Sequence, residues 1–239
     1  MKIYSGTSGY GYQEWKGHFY PEKISPKEML RFYGERLPTV EINNTFYRLP
    51  TGGVLTSWSE QVPDDFIFAF KAPQIITHRK RLKNVGEETT YLFRTLSILE
   101  RKMGPVLFQF PKNFPPDPTR LKALFDLIPE KFPCAFEFRS PSGLTTDLLN
   151  ILHERNYACC VADTDEKPAT AISSTASWGY LRLRRSAYAE TDLSQWLERI
   201  RGQQWERAYV FFKHEEEGLG PKLARRFQEL AGAAPKRSA

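Results

Sequence analysis

Eight short runs of alternating β-branched and aromatic residues, bounded by Gly, Pro or polar clusters, recur along the 239-residue chain with helical patterns between most of them. No other feature constrains the fold as strongly. The runs are Lys2 to Ser8, Thr39 to Thr45, Phe66 to Lys71, Val106 to Phe110, Ala135 to Arg139, Ala158 to Asp163, Tyr180 to Arg184 and Tyr209 to Lys213. Strands and helices in alternation imply a parallel sheet with right-handed crossovers, and eight strands in this length match an α/β fold, the TIM-type (β/α)8 barrel. The competing architecture is an open doubly wound sheet, whose dinucleotide-binding form needs G-x-G-x-x-G after its first strand. Here Gly6, Gly9 and Gly11 stand at G-x-x-G-x-G, so that fingerprint is missing.

Helical periodicity falls at Pro26 to Arg36, where Met29, Leu30 and Tyr33 share a face, and at Thr89 to Met103, with Leu92, Phe93, Leu96 and Leu99. It returns at Thr119 to Leu127, Thr145 to Glu154, Leu193 to Ile200 and Pro221 to Leu230, with Asp147 and Asp192 near two of the starts. Thr51 to Gln61 is weaker, and Thr164 to Trp178, holding Pro168, has no helical pattern. Parity supports the barrel. Phe66, Phe68 and Phe70 alternate with Ile67, Ala69 and Lys71, and Phe136 and Phe138 with Ala135, Glu137 and Arg139. In a barrel the bulky set faces the helices, and the set that turns polar points into the mouth where the strands' C-terminal ends converge. With no internal repeat or linker, residues 1–230 read as one domain and 231–239 as a frayed tail.

Composition narrows the class. With 41% hydrophobic and 14% aromatic residues the chain can bury a core, which excludes collagen-like and disordered proteins. A formal charge of +6 favours anionic partners, although a mildly basic solvated surface is the plainer explanation. Cys134, Cys159 and Cys160 suit neither a disulfide framework nor a CxxC zinc site, so a reducing cytoplasm is expected. Met1 to Tyr10 has no apolar signal core, and no run approaches the ~18 apolar residues of a membrane span.

Motifs at the strand ends are distinctive when taken together. They are Gly6-Thr7-Ser8-Gly9, Trp15 with Phe19-Tyr20-Pro21, Val40-Glu41-Ile42-Asn43-Asn44-Thr45-Phe46-Tyr47, and Lys71 with Thr77-His78. Leu107-Phe108-Gln109-Phe110-Pro111, Glu137-Phe138-Arg139, Asp163, Tyr180-Leu181-Arg182-Leu183 and Phe212-Lys213-His214-Glu215 follow in order. In that order they resemble the YecE-like family, domain of unknown function 72, over nearly the whole chain. The resemblance implies a TIM-type barrel. It implies no catalytic residues, because the family has no settled activity. One departure stands out: where the family commonly places an aromatic after Pro-Ser, Gly143 follows Ser142, which would open one wall of the mouth.

The mouth collects the chemistry. Glu41, Glu137 and Asp163 are expected at or near three strand ends, with Lys71, Gln109, Arg139, Arg182 and Lys213 around them, and carboxylates beside cations can perform acid-base work. A buried ion-pair network filling the barrel is the competing explanation. Lys71 is either a nucleophilic amine, an electrophilic clamp or a partner of Glu41 or Glu137, and a neighbouring carboxylate would keep it protonated. Asn43 and Thr45 can bind a ligand or satisfy local backbone. His78 and His214, with Glu137 and Asp163, make a thin case for a metal site, lacking HxH or HExxH spacing; His78 reads better as a hydrogen-bonding mouth residue. The last strand leaves open whether Lys213 or His214 faces inward.

Basic residues also concentrate in His78-Arg79-Lys80-Arg81-Leu82-Lys83 and in Arg182-Leu183-Arg184-Arg185, with Tyr10, Tyr12, Trp15, Tyr47 and Tyr188 expected nearby as stacking surfaces. The leading expectation is an enzyme acting on a small anionic or phosphorylated ligand, with Arg139, Arg182 and Lys71 holding it and Glu41, Glu137 or Asp163 moving protons. The alternatives are a non-catalytic nucleic-acid-binding barrel and a metal-dependent phosphodiester hydrolase. No sequence feature names a cofactor or an oligomeric state.

Overall fold

The computed structural model describes residues 1–115, 117–140 and 144–232. Within them the strands are β1 Lys2–Ser8, β2 Thr39–Ile42, β3 Ile67–Lys71, β4 Met103–Phe110, β5 Cys134–Phe138, β6 Ala158–Cys159, β7 Val161–Asp163, β8 Trp178–Leu183 and β9 Arg207–Phe212. All pair in parallel, in the order β6-β5-β4-β3-β2-β1-β9-β8-β7. The ends of that order are one stretch of chain, interrupted at Cys160, whose first part pairs with β5 and whose second part pairs with β8. Eight strand sequences thus yield nine hydrogen-bonded strands in a nearly closed barrel. The helices are α1 Met29–Gly34, α2 Gly52–Gln61, α3 Gly86–Leu96, α4 Pro118–Phe125, α5 Thr146–Glu154, α6 Glu190–Arg201 and α7 Leu219–Gly232. The stretch from Thr164 to Ser177 holds no helix, as its composition implies.

Two differences from the periodicity have local causes. The helix expected through Met103 stops at Leu96, continues as a 3-10 segment Ser97–Lys102 and breaks at Glu100 (φ 49°, ψ −120°), which releases Met103 into β4. The strand expected through Thr45 ends at Ile42, and Asn44–Phe46 coil into a 3-10 turn. Thr45 holds that turn, its hydroxyl lying 2.6 Å from the Lys71 carbonyl and 3.0 Å from that of Ile42.

Parity separates two apolar layers. Phe68, Phe70, Phe108, Phe110 and Phe136 belong to the large core between sheet and helices, where Phe108 stacks on Phe136 at 5.3 Å and Phe125 of α4 meets Phe136 edge-on at 5.1 Å. Inside the ring, Ala69, Leu107, Ala135, Ala158, Tyr180, Tyr209 and Phe211 form a second core that plugs the barrel. Gly179 is required within β8 because a Cβ there would stand 2.0 Å from the Trp205 ring. Above the plug the inward positions turn polar. Among the described residues no helix is long and apolar enough to cross a membrane.

Candidate anion site at the barrel mouth

Register sets the first contacts. Ser8 lies beside Glu41, and Gln109 beside Glu137, in adjacent parallel strands whose paired residues face the same side. Accordingly the Ser8 hydroxyl donates to Glu41 Oε2 at 2.7 Å and Gln109 Nε2 donates to Glu137 Oε2 at 2.8 Å. Arg182 of β8 reaches both carboxylates. Its Nε and Nη2 lie 2.8 and 2.9 Å from the two Glu41 oxygens, and Nη1 lies 2.8 Å from Glu137 Oε2. Tyr180 donates to Glu41 Oε1 at 2.9 Å, Asn43 Nδ2 donates to Oε2 at 2.8 Å, and Arg139 Nε donates to Glu137 Oε1 at 2.7 Å.

Glu41, Glu137 and Arg182 are all buried, so each carboxylate would be costly without these partners. Burial pushes the Glu137 carboxyl up, but the Arg182 and Arg139 charges and the Gln109 amide outweigh it and hold it at about 2. Glu41 is likewise lowered, with burial overcome by Arg182, Ser8 and Asn43. Arg182 is held protonated by the two carboxylates against its own burial. Near neutral pH both Glu side chains are therefore ionised and saturated with donors, which suits struts better than proton carriers.

Of the basic side chains that feel the charges of the mouth network, Lys71 and Arg184 have no side-chain acceptor among the described residues. Lys71, at the end of β3, rests its Nζ over the Phe46 ring at 3.9 Å. Arg184, two residues beyond Arg182 and so on the same side of the chain, is only partly exposed and borders a cleft of about 450 Å³ with Arg185, Ser186 and Lys213. The cleft lies on the β8 and β9 side of the mouth, and Lys71 is not in its lining. Even so, Lys71 and Arg184 both sense the charges of Arg182, Arg139, Glu41 and Glu137. Burial, reinforced by Arg182, pulls the Lys71 amine down to about 8 against the two carboxylates. His78 donates to or accepts from Thr77 Oγ1 at 2.8 Å, and its ring abuts Phe46 at 4.8 Å. Burial and the Lys71, Arg139 and Arg81 charges lower it below its ordinary range.

Other expected site residues lie elsewhere. Asp163 has the parity of Cys159 and Val161 and pairs with Leu183, so it faces the helices, where it meets Tyr188 (2.9 Å), Trp196 Nε1 (3.3 Å), Arg185 Nε (3.1 Å) and the Ala169 amide (2.9 Å). It does not join the mouth network. Thr45 is committed to backbone carbonyls, and Asn43 to Glu41, with Arg182 Nη2 3.4 Å from its Oδ1. Lys213 continues the inward parity of Phe211 but stands exposed on the rim, 3.4 Å from Glu215. His214 is buried against Tyr188, with Nε2 2.6 Å from the Arg185 carbonyl. Among the described residues no three His, Cys, Asp or Glu side chains converge as metal ligands would. Trp15 and Tyr188 are buried, so of the aromatics named above only Tyr47 stands well out, at 75% exposure. The departure at Gly143 lies outside the described residues. Arg184, present in the sequence as part of a basic run, is separated from that run by parity: Arg185 pairs with Asp163 and Asp192, and Arg182 is buried.

A barrel of parallel strands with a charged network across its C-terminal mouth defines an α/β protein of the TIM type. Residues 4–239 match the family described as protein of unknown function DUF72, and the chain belongs to that family. It is 33% identical over 143 residues to the UPF0759 protein YecE of Escherichia coli K12, an alignment covering 56% of this chain and 52% of that protein. The UPF0759 protein YunF of Bacillus subtilis is 28% identical over 148 residues, covering 59% and 51%. The matched region thus spans about half the length of these relatives. A DUF72 family protein (TM1631) from Thermotoga maritima superposes with a TM-score of 0.85 at 26% identity, covering 96% of this chain and 99% of that one. D-Psicose 3-epimerase from Clostridium cellulolyticum H10, at TM-score 0.56 and 10% identity over 96% of each chain, shares the fold alone.

Proposed function

We propose that the chain binds a small anionic or phosphorylated ligand at the barrel mouth and acts on it by proton transfer. The observation that carries this reading is the pair Lys71 and Arg184, basic, partly buried and without a side-chain acceptor among the described residues. Both feel the charges of Arg182 and Arg139, so four basic groups act against two carboxylates already held in ion pairs, and positive charge is left uncompensated. An anion between them would replace lost hydration with charge-assisted hydrogen bonds. The carboxylates hold the cations, and Lys71, whose amine burial pulls down to about 8, has a proton to exchange near neutral pH. Thermal unfolding with inorganic phosphate or pyrophosphate at low ionic strength tests it. Ligand at 100 times its Kd should add about 2.7 kcal/mol of stability. A melting temperature that phosphate leaves unchanged, or raises equally in the Arg184→Ala Lys71→Met double variant, would count against the reading.

A second reading, a phosphodiester backbone as partner, is favoured by one feature. A cleft of about 650 Å³ lies between the loop after β3 and the start of α4, lined by Arg79, Lys80, Arg81, Lys83 and Arg120 with Asp117 as its acidic member. Such a cleft suits a repeating anion better than a single small one.

A further inference from the structure

We propose that Lys71 is a nucleophile that forms an imine with an anionic aldehyde or ketone held at the mouth. This deepens the preceding reading and rests on it, because the anion site supplies the second anchor of the ligand. The two kinds of cation present divide the work. Guanidinium groups do not deprotonate in proteins, so Arg139, Arg182 and Arg184 can only hold negative charge. Lys71 alone among the four can present a lone pair.

The main objection to a nucleophilic lysine is a carboxylate beside it, which would fix the ammonium form. Here the two nearby carboxylates are occupied: Arg182 contacts both, Ser8, Tyr180 and Asn43 complete Glu41, and Gln109 and Arg139 complete Glu137. Neither reaches Lys71 in an ion pair, and the face presented to its Nζ is the Phe46 ring. That ring face attracts an ammonium weakly, whereas burial and the neighbouring guanidinium oppose it more strongly. Lys71 is fixed at the C-terminal end of a strand, and its carbonyl is bound by Thr45, so the amine projects from rigid backbone.

The step balances without a further reactant. The neutral Nζ adds to the carbonyl carbon as the C=O π pair moves to oxygen, giving a carbinolamine. Nitrogen gives up its two protons in the course of addition and dehydration, oxygen gains two, and one water leaves as the C=N bond forms. No electron is transferred, and a phosphate or carboxylate on the same ligand stays with the guanidinium groups.

Pyridoxal 5′-phosphate is a suitable probe, because it carries an aldehyde and a phosphate. The full chain is mixed with a limiting amount at pH 8, reduced with borohydride to trap any imine as a secondary amine, and mapped by peptide mass. An amine with pKa about 8 is roughly a hundredfold more often neutral at pH 8 than an ordinary lysine at about 10.4, and lower basicity returns part of that gain. Lys71 should therefore label about tenfold faster than the exposed Lys23 and Lys27, and inorganic phosphate should slow it selectively. Arg184→Ala should slow labelling by pyridoxal 5′-phosphate and leave labelling by uncharged pyridoxal unchanged. Labelling of Lys71 no faster than Lys23 overturns the imine, and if phosphate still raises the melting temperature the anion site stands without it. Failure of both removes both. Rapid labelling that phosphate does not slow overturns the anionic class of substrate.

Discussion

Arg182 carries more of the mouth's electrostatics than any neighbour, since among the described residues it is the one cation that contacts both buried carboxylates. Replacing it by Met would leave Glu41 and Glu137 charged, buried and short of a counter-charge, a loss of about 3–5 kcal/mol by analogy with other broken buried pairs. The pH dependence has a definite sign. Glu137 is held at about 2 in the folded protein against 4.5 ordinarily, so its contribution is present above about 4.5 and is lost as pH falls toward 2. In Arg182→Met the same carboxyl is expected to rise instead, because burial then acts with less opposition, and acid relieves the variant by neutralising it. Urea unfolding at pH 7 and pH 3.5 checks this. The gap between wild type and variant should be several kcal/mol at pH 7 and much smaller at pH 3.5, and an equal gap at both values would show that the loss comes from packing.

Elements meet at joints, and the joint between α3 and β4 is strained where periodicity gives no warning. Leu92, Phe93, Leu96 and Leu99 are all buried and continue one apolar pattern, yet Glu100 adopts φ 49°, ψ −120°, a conformation glycine occupies freely. Its side chain is exposed, so Glu100→Gly should relieve strain without loss of packing and raise stability by about 1 kcal/mol, after the entropy glycine adds to the unfolded chain. A melting temperature lowered by Glu100→Gly would refute it, and Glu100→Val should lower it. What could be read from the sequence follows the same division. The Phe ladders of β3 and β5 revealed their two faces, and with them Lys71, Glu137 and Arg139 at the mouth, because period-2 alternation is local. The interruption at Cys160 could not be read, since Cys159, Cys160 and Val161 all suit a strand, but the place of Asp163 could: alternation puts Ala158 and Cys160 inward and Cys159, Val161 and Asp163 toward the helices, where Asp163 meets Trp196. Arg184 was present in a basic run but needed parity with Arg182 to be distinguished from Arg185. The helical turn Ile75–Arg79 that carries His78 left no periodic signal.

Over the whole molecule, a formal charge of +6 leaves open whether the excess is spread or focused, and the structure gathers part of it in two places. One is the mouth. The other is the cleft beside α4, where the backbone turns left-handed at Arg81, Leu82 and Asn84, burying Leu82 while Arg79 and Lys83 stay exposed. The cations there are not equivalent. Lys80 already pairs with Glu88 at 2.6 Å and Arg120 with Asp117 at 3.0 Å, whereas the side chains of Arg79, Arg81 and Lys83 have no acceptor among the described residues. If a phosphodiester backbone occupies this cleft, each of the three releases a counterion on binding, and the log-log salt slope for a single strand changes by about 0.7 per phosphate neutralised. Replacing Arg79, Arg81 and Lys83 together by Gln should therefore weaken binding of a labelled single-stranded oligonucleotide and flatten its slope by about 2. Lys80→Gln should change it far less, and Arg184→Ala, at the mouth, should leave it alone. Fluorescence anisotropy across a range of salt concentrations reads all three. A triple variant that binds with an unchanged slope would remove the cleft as a nucleic-acid site, while a slope lost on Arg184→Ala alone would move the polyanion to the mouth, where a small ligand is otherwise expected.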